Sequence, residues 1–204
     1  MNLVQLGANV GKDHVQQLVT KYYNTFKNII LVEPVPKCLP ILKENYKHID
    51  NVSIEGSVII SDINLPPGEV DFYYPDYPEY GGVFNFEVSS LNKEHAIRNA
   101  SGGDEYVKLF KLPSLNFDSL IDKYSLTTID FLFMDIEGED EKLLENLDLS
   151  KYDFKVVMWE YNHTCIGLKK KFLNLEYKIA ILNNNYVAYR QNYENYISDL
   201  RQWL

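Results

Sequence analysis

Cysteine is nearly absent from this sequence: Cys38 and Cys165 are the only two in 204 residues. Two thiols cannot build a disulfide scaffold, and they fit a reduced, intracellular setting. Positive charge is also short. Twenty lysines and arginines stand against 29 aspartates and glutamates, a formal net charge of −9. Without a basic stripe, a phosphate-backbone partner such as DNA or RNA is not expected. The densest basic stretch, Lys169-Lys170-Lys171, reads as a solvated helix face. No apolar run approaches the roughly 20 residues of a membrane-spanning helix. The opening Met1-Asn2-Leu3-Val4-Gln5-Leu6 lacks the basic and apolar regions of a signal peptide, so a cytoplasmic location is expected. No internal repeat or low-complexity linker divides the chain. Its length suits one domain, residues 1–204, with its own core.

What is present is an alternation of β-rich and helical segments. Leu3–Leu6 reads as a strand, Lys12–Tyr23 as a helix with apolar residues at Val15, Leu18, Val19 and Tyr22, and Asn28–Val32 as a buried strand. Pro36–Tyr46 reads as a second helix and Val52–Ile60 as one extended run. This β-α-β-α-β order implies a parallel sheet. Val70–Tyr74 is a further strand. Residues 75–105 then carry Pro75, Pro78, Gly81, Gly82, Gly102 and Gly103, a length of connection that is usually functional. A short helix is expected within it at Asn92–Asn99. A strand at Val107–Leu112 and a helix at Phe117–Tyr124 follow. The alternation resumes with strands at Ile129–Met134 and Lys155–Glu160, each followed by a helix, at Asp140–Leu147 and Ile166–Leu173. Lys178–Leu182 and Tyr186–Arg190 flank three asparagines as a hairpin, and Tyr193–Leu204 closes the chain as a helix.

Two features point to a nucleoside-bearing cofactor. Gly7-Ala8-Asn9-Val10-Gly11 follows a strand and opens a helix, where glycines permit a sharp turn and close approach of a ligand. Its two glycines lack the pattern of a pyrophosphate-binding turn, so the carboxylate of S-adenosylmethionine is the anion expected there. Glu33, 22 residues beyond Gly11, ends the next strand, where an acid commonly accepts hydrogen bonds from ribose hydroxyls. A plain structural turn beside a surface acid is the simpler explanation of each feature alone; their order and spacing favour the cofactor.

The sequence resembles the FkbM-type methyltransferases over residues 3 to about 190. Four segments carry the likeness: Leu3–Gly11, Val32-Glu33-Pro34, Ser89–His95, and Ile129–Gly138 with its Asp135-Ile136-Glu137-Gly138 signature. Leu115–Leu120 resembles the segment preceding that signature. Many members continue with His-Glu, where this chain has Glu139-Asp140. The resemblance implies an α/β, Rossmann-like class I methyltransferase fold. Its mostly parallel sheet would carry a C-terminal antiparallel hairpin and helices on both faces. It also implies S-adenosylmethionine as methyl donor and a hydroxyl of a sugar, surface glycan or glycan-linked molecule as acceptor. An NAD(P)-dependent oxidoreductase and a non-catalytic cofactor-binding module are the competing readings.

On this reading Gly7, Ala8, Asn9, Gly11, Glu33 and Pro34 meet the cofactor, Gly56 and Ser57 lie near its adenine, and Asp135 reaches its amino group or the acceptor. An attacking alcohol must lose a proton, so a base within hydrogen-bond reach is expected. The candidates are Asp135, His163 with Glu160 orienting it, and His95 as a rival. Tyr77, Tyr80, Ser89, Ser90 and Glu137 are expected on the acceptor side, with residues 75–105 as a lid whose aromatics include Phe84 and Phe86. The acids Asp135, Glu137, Glu139 and Asp140 lack a recognisable metal-ligand spacing, and acids at a helix start usually answer its dipole, so no metal is expected.

Overall fold

The computed structural model describes residues 1–76, 86, 88–160 and 166–204. Its strands are β1 (Asn2–Leu6), β2 (Asn28–Val32), β3 (Val52–Glu55), β4 (Val58–Ile60), β5 (Gly68–Pro75), β6 (Val107–Asn116), β7 (Phe131–Met134), β8 (Val156–Glu160), β9 (Lys178–Leu182) and β10 (Asn185–Tyr189). The helices are α1 (His14–Tyr22), α2 (Leu39–Tyr46), α3 (Lys93–Asn99), α4 (Phe117–Lys123), α5 (Asp140–Asn146), α6 (Ile166–Asn174) and α7 (Glu194–Trp203).

A seven-stranded sheet runs in the order β3-β2-β1-β7-β8-β10-β9. β3, β2, β1, β7 and β8 are parallel, and β10 is antiparallel to both β8 and β9. β1, β2, β7 and β8 are near-continuous apolar runs because helices cover both of their faces. Successive residues go to opposite cores. Val4, Leu132, Val157 and Trp159 pack with α4, α5 and α6. Leu3, Phe131, Phe133, Val156 and Met158 pack with α1, α2 and α7. The mostly parallel sheet, its closing hairpin and the two helical layers match the expected Rossmann-like class. Among the described residues no helix is long and apolar enough to cross a membrane.

The chain leaves β1 toward β2 and β3, then returns to β7 on β1's other side. Strand order therefore reverses between β1 and β7, and ligands of open α/β sheets bind at the carboxyl ends beside such a reversal.

Three local expectations need correction. The second helix begins at Leu39, not Pro36; Pro36 and Lys37 form a turn, and Pro40 sits in the first helical turn. The run Val52–Ile60 is two strands. It breaks at Gly56-Ser57, where the buried Glu55 carboxylate accepts a 2.7 Å bond from the Ser57 hydroxyl, and β4 leaves to join a second sheet. That sheet, β4-β6-β5, was not anticipated at all. β6 also runs four residues past Leu112, through Pro113. β4 pairs only with Ser114–Asn116, so Pro113 occupies an edge position that tolerates a missing N–H.

Asn116 joins the layers. Its Oδ1 accepts from Ser119 N at 2.8 Å, capping α4, while its amide donates to the Ile63 and Leu65 carbonyls at 3.2 and 2.7 Å. Asn116→Ala removes a cap and leaves two carbonyls without this donor. Urea melts should show a loss of about 2 kcal/mol.

Candidate active site

The turn after β1 is shaped by what surrounds it. Gly7 and Gly11 adopt φ of +77° and +67°, and Asn9 one of +45°. A Cβ on Gly7 would lie 1.9 Å from the Asp135 carbonyl oxygen; one on Gly11 would lie 2.5 Å from both Leu42 Cδ1 and Tyr46 Cε2. The space that the glycines vacate is thus filled by protein, where the sequence suggested a ligand. Several of the turn's N–H groups are also engaged. Gly7 and Ala8 both donate to the Val32 carbonyl, at 3.0 and 2.9 Å, and Gly11 donates to the Ala8 carbonyl at 2.8 Å. These three amides are therefore spent within the protein.

The anion at the turn is the protein's own. Glu33, 5% exposed at the end of β2, accepts from Asn9 N on Oε2 at 2.7 Å and from Val35 N on Oε1 at 2.8 Å. Burial pushes its carboxyl up to about 7; the Val35 and Asn9 amides oppose that rise, and the charge of Asp135 adds to it. Each carboxylate oxygen retains lone-pair capacity beyond its backbone donor.

A cleft of about 230 Å³ opens at the reversal between β1 and β7. Gly7, Ala8, Asn9, Gly11, Glu33 and Pro34 line one part of it. Ser57, Ser89, Asp135 and Glu137 line the rest of the expected set. The second sheet adds Val58, Ile59 and Phe72, and Phe86 and Leu91 complete a largely apolar wall. Sequence reasoning missed Phe72, although it shares the buried phase of β5 with Tyr74. It also missed Lys12, the one lysine or arginine in the lining among the described residues.

Other expected residues stand elsewhere. Gly56 is outside the lining, where a Cβ would meet Leu39 Cδ1 at 3.3 Å. Ser90 is buried, and its hydroxyl donates to the Glu137 carbonyl at 3.1 Å. Glu160 ends β8 half-buried, close enough to influence both His95 and Asp140. His95 stands behind Glu137, outside the lining, with its Nε2 2.8 Å from Glu137 Oε2. Burial and Arg98 lower its pKa, against an opposing influence of Glu160. Tyr77, Tyr80, Phe84 and His163 lie outside the described residues.

The turn after β7 is as constrained as that after β1. Asp135 N donates to the Leu6 carbonyl at 3.0 Å, and Ile136 N donates to Asp140 Oδ2 at 3.2 Å. Glu137 takes a left-handed φ of +48°, followed by Gly138 at +93°. Asp140 is 3% exposed and pushed up to about 7 by burial and by the charge of Asp135. Among the described residues no group of three or more His, Cys, Asp or Glu side chains is arranged to hold a metal ion.

A family model described as the methyltransferase FkbM domain matches residues 5–204. The crystal structure of methyltransferase FkbM from Methylobacillus flagellatus KT aligns at a TM-score of 0.54 and 14% identity, over 93% of this chain and 43% of that one. The chain spans less than half the length of that protein, and the likeness at this identity is one of fold. A precorrin-6y C5,15-methyltransferase from Geobacter metallireducens GS-15 aligns at a TM-score of 0.44 and 10% identity, over 93% of this chain and 80% of that one. Among curated proteins none matches the chain.

Because the turns after β1 and β7 meet at Gly7, Gly7→Ala forces a carbon into the Asp135 carbonyl at a φ that L-residues avoid. The expected cost is about 3 kcal/mol, read from denaturant midpoints; a loss below about 1 kcal/mol would mean that the two turns part easily.

Proposed function

Since the chain belongs to the FkbM methyltransferase domain family, we propose that it transfers a methyl group from S-adenosylmethionine to a hydroxyl of a sugar, glycan or glycan-linked small molecule. The observation that carries this reading is the buried Glu33 carboxylate beside the Gly7–Gly11 turn, at the strand reversal. The donor set fits such a cofactor. Glu33 offers acceptor lone pairs to two adjacent ribose hydroxyls. Val10, Val32, Val58 and Ile59 offer an apolar slot for adenine, with Ser57 at its edge. Lys12, exposed at the lip, is the group to meet a carboxylate, in place of the engaged backbone amides. Those engaged amides also argue against a pyrophosphate, and so against a nicotinamide dinucleotide.

When bound, the cofactor supplies an activated methyl carbon on a sulfonium. The protein's share is positioning and the removal of water. Asp135 and Glu137 add two acids to the lining from the β7 end. Phe72 and Phe86 add apolar wall against which a sugar can lie. We read residues 1–204 as one domain and 75–105 as the acceptor-side lid. The lid's described part sets Phe86, Ser89 and Leu91 along the cleft and ties Ser90 to Tyr73 in β5. Tyr77 and Tyr80 belong to the same segment.

Ribose hydroxyls donate to the ionised form of Glu33, so cofactor binding should strengthen as that carboxyl loses its proton. With a carboxyl near 7, calorimetric affinity for S-adenosylhomocysteine should rise about tenfold from pH 6 to pH 8. Glu33→Gln should flatten that rise and weaken binding by about 2 kcal/mol. Affinity that ignores both pH and this substitution would remove Glu33 from the site. Methyl transfer itself is tested by incubating the protein with methyl-labelled S-adenosylmethionine and an extract of its own cell. A labelled product that is absent with Asp135→Ala supports the reading; no label in any fraction overturns it.

A further inference from the structure

Glu137 has no ordinary place in its turn. It holds a left-handed φ of +48°, a conformation that costs a non-glycine residue about 1 kcal/mol or more. Three features secure it there. Ser90, bridged to Tyr73 of β5, donates its hydroxyl to the Glu137 carbonyl at 3.1 Å. Gly138 follows at φ +93° and lets the chain pass beside the His95 ring, 3.8 Å from where its Cβ would be. His95, on α3 and 42 residues earlier in the chain, brings Nε2 to 2.8 Å from Glu137 Oε2. Its helix is itself fixed, since Asn92 caps α3 by accepting from His95 N at 3.0 Å.

The hydrogen on this contact can be assigned. A carboxylate only accepts, so His95 Nε2 carries the proton and Nδ1 does not when the ring is neutral. Asn99 Nδ2 is 3.1 Å from the same nitrogen and donates to the His95 carbonyl, also at 3.1 Å; the carboxylate, which has no hydrogen to give, decides the tautomer. The groups facing the ring are Glu137 from the β7–α5 turn, Glu160 from the end of β8, and Arg98 and Asn99 from α3 itself. Glu137 reaches the cleft lining and His95 does not. The pair is thus an acid–histidine dyad in which the glutamate belongs to the cleft lining and the imidazole does not.

Resting on the methyl-transfer reading above, we propose that Glu137 accepts the proton of the acceptor hydroxyl and that His95 is its positioning residue. The acceptor oxygen bonds to the methyl carbon of the sulfonium donor as the carbon–sulfur bond breaks, and that bond's electron pair returns to sulfur. The hydroxyl proton passes to a Glu137 oxygen and from there to water. His95 keeps its Nε2 proton throughout. The histidine that the sequence marks as a rival base acts here through the glutamate.

Two measurements test this. The first needs no acceptor: imidazole nitrogen NMR of the whole chain, with Glu137→Gln as comparison. At pH 8 His95 should show the Nε2–H tautomer, and its pKa should fall when Glu137 loses its charge. An Nδ1–H tautomer, or a pKa unmoved by the substitution, would overturn the pair. The second uses the acceptor recovered from the labelled extract. Glu137→Gln should lower kcat by about 100-fold or more with KM within about threefold. His95→Ala should lower kcat about 30-fold and reshape the acid limb of its pH profile, and His95→Gln should restore part of the loss. Near wild-type turnover by Glu137→Gln, or equal losses for both His95 variants with only a lower melting temperature, would overturn the roles. If the wild-type protein labels nothing, the methyl-transfer reading falls and the proton-acceptor role with it; the NMR comparison still decides separately whether the dyad exists.

Discussion

Glu33 is a charge-bearing group removed from water, and the arrangement around it follows from keeping it satisfied. Its two oxygens take Asn9 N–H and Val35 N–H, one from the turn after β1 and one from the chain leaving β2. The parallel register, Leu6 opposite Val32, brings those two backbones to the same level. The Val32 carbonyl then accepts from both Gly7 and Ala8, so the turn is pinned by its neighbour strand at three points. A free carboxylate would open the turn, and a turn of other shape would leave a buried charge without donors, at a cost of several kcal/mol. The cleft floor is as rigid as this pairing.

The walls depend on a different device. The main sheet supplies strand ends but no side to the cleft. The chain makes one by leaving the sheet at Gly56-Ser57 and building β4, β5 and β6 beside it, so that Val58, Ile59 and Phe72 face the floor. Glu55 steadies the point of departure. It is 5% exposed, yet Lys123, Ser57 and Tyr124 all donate to it, and together they outweigh burial and hold its carboxyl below the usual range.

Much of this was legible in the sequence where the signal is local. β1 and β2 show as apolar runs, α1 as a 3.6-residue period, and the hairpin as strands around asparagines. The turn and Glu33 show by order and spacing. What failed depends on pairing between distant segments. Nothing near Val58 says that β4 aligns with Ser114–Asn116, so one extended run was expected where two strands in different sheets exist. Pro113 looked like a strand end because its tolerance rests on where a partner strand stops. The glycines were read as room for a ligand, while their neighbours, the Asp135 carbonyl and the α2 side chains, are set by tertiary contact. His95 and Glu137 were both singled out, but their pairing across 42 residues, with only Glu137 in the cleft lining, was not legible.

At Gly7 the backbone of one turn rests on the carbonyl of the other, with no side chain between them to absorb a shift. The turns after β1 and β7, which both line the cleft, are therefore a single mechanical part. Reshaping residues 135–138 would also displace the turn that Glu33 holds, so the two halves of the lining cannot be altered independently.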